Sequence, residues 1–219
     1  MSMKFLLVVA VTAGHFFMLP AASPASDAGS ALAIQALEAC KQGRLATDRA
    51  TRLAYFQQGQ TLGERAVAAD ESNAETHFAL FCNLGELLRV DGESLTSIFG
   101  LRRMMHELDR ALEINPAHIN ALSAKGTLLV KLPSFLGGDS EKGEQLLQQV
   151  VRQAPKAVNA RLALARVWCQ HGRHDEAAAM ASDALALAQK DQRVEFIPEA
   201  TALLQQAKSN ATKIKHPRS

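Results

Sequence analysis

Between Ala111 and Pro155 the chain alternates apolar faces at helical spacing with short turn-forming interruptions. Ile119, Leu122, Leu129 and Leu132 recur at intervals that place them on one face of a helix, and Pro133 stops it. Gly137-Gly138-Asp139 then turns the chain into a second helical stretch with Leu146, Leu147, Val150 and Val151, which ends before Pro155. Asn115-Pro116 closes the helix before Ile119, so the pattern predicts one helical hairpin bounded at each end by a helix-breaking Pro. The same arrangement recurs along the chain. Residues 70–80, 115–125 and 154–164 superpose without a gap, each following a helix end and preceding a helix start. From Glu71 to Pro116 the period is 45 residues, and from Pro116 to Pro155 it is 39. Turn formers cluster at Asp91–Phe99 and Leu132–Ser140, which read as loops inserted into hairpins. No run of β-branched residues with period two follows residue 26, and Ala and Leu supply the packing, so the expected class is all-α.

The N-terminus follows a different pattern. Lys4 leads an almost wholly apolar run, Phe5 to Leu19, and Pro20 to Ser26 is small and turn-prone. An apolar run of about 15 residues falls short of the roughly 20 that cross a bilayer as a helix, so residues 1–25 are expected to be a secretory signal cleaved near Ala25. That makes the mature chain periplasmic or secreted, with no membrane span of its own. Losing Lys4 takes the formal charge from +2 to +1, too balanced to argue for a nucleic-acid partner or a polybasic membrane surface. The remaining length suits one domain, residues 26–208, followed by a disordered basic tail, 209–219.

These residues resemble a tetratricopeptide-repeat array from about Ser30 to Lys208, whose usual repeat is about 34 residues. Leu122, Gly126, Leu129 and Pro155 fall on signature places of that family, as do Leu164, Ala165, Gly172, Ala177 and Ala184 in the following unit. Small residues at Gly126, Ala165, Ala177 and Ala184 would let paired helices approach closely. Lys125 departs from the pattern where Leu is usual, and Phe81 where a small residue is. The resemblance implies a right-handed superhelical stack of hairpins with a C-terminal cap helix, Glu195 to Ala207, and a basic frayed end from Lys208. The first unit, Ala31 to Asp70, is the least regular, with Gly43 as its turn. Leu132-Pro133-Ser134-Phe135-Leu136-Gly137-Gly138-Asp139, together with the export signal, is also similar to the periplasmic T component of tripartite ATP-independent periplasmic (TRAP) transporters. That similarity implies a role in delivering a small organic or apolar ligand.

In such arrays the first helix of each hairpin lines the concave face. Counting from the junctions assigns Glu75, Phe78, Cys82, Asn120, Ser123, Thr127, Asn159, Leu162 and Arg166 to it. This mixture is unlike the Lys and Asn set that clamps a C-terminal carboxylate in some family members. Phe135 and Leu136, apolar in a loop, are the second candidate contact. His77 is expected to be a packed histidine, His106 and His118 solvated, and His171 and His174 polar turn residues rather than metal ligands. The sequence carries no phosphate loop, nucleophile elbow, paired-Cys redox motif or zinc-protease helix, so neither an enzyme nor a cofactor or metal is expected. Cys40 and Cys82 either pair between neighbouring hairpins or, with Cys169, are three independent buried thiols. Two functions stay open: an exported, transporter-associated holder of a small organic ligand, and an envelope adaptor that binds a partner protein or peptide. Self-association into a homo-oligomer is compatible with both.

Overall fold

The structure, a computed structural model, describes residues 24–91 and 97–215. Residues 1–23 lie outside it, and with them nearly all of the expected signal. Nine α-helices follow one another among the described residues, with no strand: α1 Pro24–Leu45, α2 Arg49–Ala69, α3 Ala74–Asp91, α4 Ser97–Ile114, α5 Ile119–Lys131, α6 Ser140–Gln153, α7 Val158–Gln170, α8 His174–Lys190 and α9 Ile197–Lys215. Short 3-10 turns, Ser134–Leu136 and Val194–Phe196, precede α6 and α9. Successive helices pair into four hairpins, and along the stack α1 also packs on α3, α5 on α7 and α7 on α9. None of the described helices is long and apolar enough to cross a membrane.

Local chemistry sets the boundaries. Asp48 accepts from the Thr51 N–H at 2.8 Å and caps α2, and Asp139 does the same for α6 through the Lys142 N–H at 3.0 Å. The Thr51 amide holds the Asp48 carboxyl, and the Lys142 side chain and then its amide hold the Asp139 carboxyl, below the usual aspartate range. Gly137 closes the 3-10 turn at φ 89°, a conformation that costs glycine little.

Close packing explains the small residues. A Cβ on Gly126 would sit 2.7 Å from the Leu147 side chain, so the absent side chain is what lets α5 lie against α6. Ala165, Ala177 and Ala184 are all buried as expected. Gly43 is a correction. It lies inside α1, and the first turn comes after Leu45; a Cβ there would meet the Phe56 ring at 2.3 Å, so this glycine seats an aromatic from α2. The last helix also overruns its expected end at Ala207 and continues to Lys215, eight residues into the stretch read as a basic tail. The apolar core runs the length of the stack as four successive clusters, from Ala33, Ala36, Ala66 and Ala79 at one end to Ala184, Ala188, Phe196, Ala200 and Leu203 at the other.

Candidate functional site: the groove of the first helices

The residues assigned to the concave face divide into two sets. Phe78 and Leu162 are buried core residues, Phe78 stacking on Phe81 with ring centroids 5.8 Å apart. Ser123 is also buried, its hydroxyl donating to the Ile119 carbonyl at 2.9 Å. These three are corrections: each is the fifth residue of its helix, where Phe78 and Leu162 join the apolar clusters and the Ser123 hydroxyl bonds back to its own helix. Glu75, Cys82, Thr127, Asn159 and Arg166 remain partly exposed, and Asn120 is exposed. Phe135 is 84 % exposed in the inserted loop, while Leu136 is half-buried.

Histidine placement is divided too. His77 is buried, with Nδ1 2.7 Å from Glu107 Oε2 and Nε2 2.9 Å from the Glu71 carbonyl. Both ring nitrogens face acceptors, which favours the doubly protonated ring. The Glu107 carboxylate raises the His77 pKa above its ordinary value against the opposing effect of burial. His118, expected to be solvated, is buried instead. Its Nδ1 accepts from the Ala121 N–H at 3.2 Å, capping α5, so Nε2 carries the proton donated to Glu75 at 2.8 Å. His106 is exposed.

One helical turn beyond the assigned stripe is a set of charges that the junction counting stopped short of. Glu86 follows Cys82 by four residues and Lys131 follows Thr127 by four. Arg44 of α1 donates to Glu86 at 2.7 Å, Arg89 pairs with the same carboxylate, and Arg166 of α7 pairs with Glu199 of α9. Lys131 lies between the two paired groups and feels Arg166, Glu199, Arg89 and Glu86. Desolvation first, and the Arg166 charge second, hold its ammonium below the ordinary lysine range, although the residue stays open to solvent on its outer side. Among the described residues it has no hydrogen-bond or ion-pair partner. Extending the stripe by one turn would have found Glu86 and Lys131; Glu199 could not be found so, because it comes from the cap helix.

A tetratricopeptide-repeat family model matches residues 136–195, the unit from the inserted loop through α8 to the turn before α9. The chain is also similar to the crystal structure of TTC0263, a thermophilic TPR protein of Thermus thermophilus, at 25% identity over 71% of this chain and 78% of that one, with a TM-score of 0.53. The fold is a tetratricopeptide-repeat array. A structure of MamA AMB-1 aligns with 89% of this chain and 97% of its own, at 18% identity and a TM-score of 0.47. No curated protein matched the chain. In tetratricopeptide terms, the charged set lies on the first helices of successive repeats, and α9 closes the row.

Proposed function

We propose that this chain is an exported protein-binding scaffold whose groove holds an extended partner segment through an acidic group seated at Lys131. The observation that carries this is the unpartnered ammonium between two satisfied ion-pair groups. Four cations, Arg44, Arg89, Lys131 and Arg166, share two carboxylates, Glu86 and Glu199, so the row has spare positive charge where a ligand anion would complete it. A carboxylate there would gain Lys131 without breaking an existing pair.

The clefts on the outer face of α6 and at the Asp70–Glu75 and Ile114–His118 junction are open, a form that suits an extended segment better than a sequestered small molecule. The transporter-associated reading stays open beside it. It rests on the octapeptide around Phe135 and on the export signal. Cleavage after Ala25 would remove only the first two residues of α1 and leave Gly29, which packs on Asp70. The N-terminal sequence of the protein recovered from the periplasm or culture medium of its host tests export; an uncut chain in the cytoplasm would overturn it.

The groove is tested by fluorescence anisotropy of the mature chain with an unstructured Glu-Ser repeat peptide and a Lys-Ser repeat of equal length. The acidic peptide should bind more tightly, lose affinity with added salt, and weaken by about tenfold, or about 1.4 kcal/mol, on Lys131→Glu. Equal binding of both peptides, or no effect of Lys131→Glu, would overturn the seat.

A further inference from the structure

Helices α1 and α3 lie side by side with a nearly constant sequence offset. Asn73 Nδ2 donates to Ser30 Oγ at 3.0 Å across 43 residues, and Arg44 Nε donates to Glu86 Oε1 at 2.7 Å across 42. Cys40 and Cys82 have the same offset as the second pair and lie one helical turn before it. At that register the two thiols are neighbours, and each acts on the other's ionisation. Next to them Asn83, fully buried, donates to the Ala36 carbonyl at 2.9 Å, so the register of the two helices is held on both sides of the sulfurs. Cys40 is 2% exposed, and Cys82 is partly exposed. Arg44, Glu86 and Arg89 are the charges that act on Cys40. All three cysteines are free thiols, and Cys169 lies apart in the α7 core.

We propose that Cys40 and Cys82 form an oxidation site, which hydrogen peroxide or a small hydroperoxide closes into a disulfide that staples the first hairpin to the second. This stands on the α1–α3 register and is independent of what the groove binds. The Cys82 S–H bond lowers the Cys40 thiol below its ordinary range, burial opposes, and the Arg44 guanidinium assists. The same contact and burial push Cys82 up. Arg44, one turn along α1 from Cys40, favours a thiolate there, which assigns Cys40 as the first nucleophile and Cys82 as the resolving thiol. The Cys40 thiolate attacks one peroxide oxygen, the O–O bond breaks, and hydroxide leaves with a proton as water. The Cys82 sulfur then attacks the sulfenic sulfur, the S–O bond breaks, and the second hydroxide leaves with the Cys82 proton. Overall two thiols and one peroxide become one disulfide and two waters. Closure ties α1 to α3 through a loop of some forty residues and restricts the unfolded chain.

The test uses the full mature chain, reduced, desalted and treated with one equivalent of hydrogen peroxide, then denatured for thiol counting and peptide mapping. Free thiols should fall from three to one, with the Cys40 and Cys82 peptides joined. In Cys82→Ser, dimedone should trap a sulfenic acid on Cys40; in Cys40→Ser, labelling of Cys82 should fall well below that level. Circular dichroism melts of both variants confirm folding, and Cys82→Ala replaces any serine variant that does not fold. Three thiols remaining after peroxide, a bridge to Cys169, or dimedone trapped on Cys82 rather than Cys40 would each overturn the proposal.

Discussion

The two halves of the stack hold their helices together by different means. The first three hairpins add to their apolar clusters a set of polar contacts: Asn73 to Ser30, Asn83 to Ala36, Arg44 to Glu86, His77 to Glu107 and Glu75 to His118, with Thr76, Asn83 and His77 buried. From α7 to α9 the buried core is alanine-rich, with Ala165, Ala181, Ala184, Ala188 and Ala200 packed around Leu162, Phe196 and Leu203, and the Arg166–Glu199 pair lies at its edge, outside that core. Hydrogen bonds are directional, and an unmade one is costly when buried, so the first half depends on particular partners. Alanine burial is non-directional and asks only for close approach. The first half should therefore respond to pH and to isosteric polar changes, and the second to volume and charge alone.

The largest effect should be shared by both halves. Ala111→Asp and Ala184→Asp each place an unpaired carboxylate at a fully buried position and should cost about 3–5 kcal/mol, read by denaturant or thermal melts. A melt unchanged in either variant would break the assignment of that face to the core. Gly126→Leu should come next, at about 3 kcal/mol, because its Cβ already meets Leu147 at 2.7 Å.

Glu107→Gln separates the halves. It keeps the shape and removes the charge that His77 faces at 2.7 Å, and should cost about 1–3 kcal/mol. Gln189→Leu, on the surface of α8, should change the melt by less than about 0.5 kcal/mol. Equal losses in the two variants would erase the comparison.

The pH response follows from His77. Its folded-state pKa is raised by Glu107, so its contribution is fully present below the unfolded value of about 6.5 and is lost as pH rises through the folded one. Melting temperature measured upward from pH 6 should fall through that window, and His77→Gln should flatten the fall. A fall of the same size in His77→Gln would place its origin elsewhere. The smallest effect belongs to the loop. Phe135→Ser, at a side chain 84% exposed, should move stability by no more than about 0.5 kcal/mol, while an early melt would make the loop part of the core.

Much of the architecture was legible before any coordinates. Helix periodicity, the turn at Gly137 and the stops at Pro116, Pro133 and Pro155 are local properties of the backbone and of neighbouring residues. Three superposable junctions then require the same packing to repeat. The small residues at Gly126, Ala177 and Ala184 are likewise explained by contact with the adjacent helix. Gly43 misled because a glycine within a helix and a glycine in a turn look alike in sequence; only the Phe56 ring against it tells them apart. His118 misled for a similar reason, since a cap that bonds to Glu75 across 43 residues leaves no trace nearby.

What tertiary structure alone decided is which face of each first helix stays open. Phe78, Ser123 and Leu162 lie on the counted stripe, yet all three are buried. Lys131 carries no distinguishing neighbours in sequence, and its significance comes from Arg89, Arg166 and Glu199, brought around it from three other helices. Helix formation depends on interactions within about four residues, so a sequence can announce it. A groove's charge and a thiol pair depend on distances between segments some forty residues apart, and those are set only when the hairpins stack.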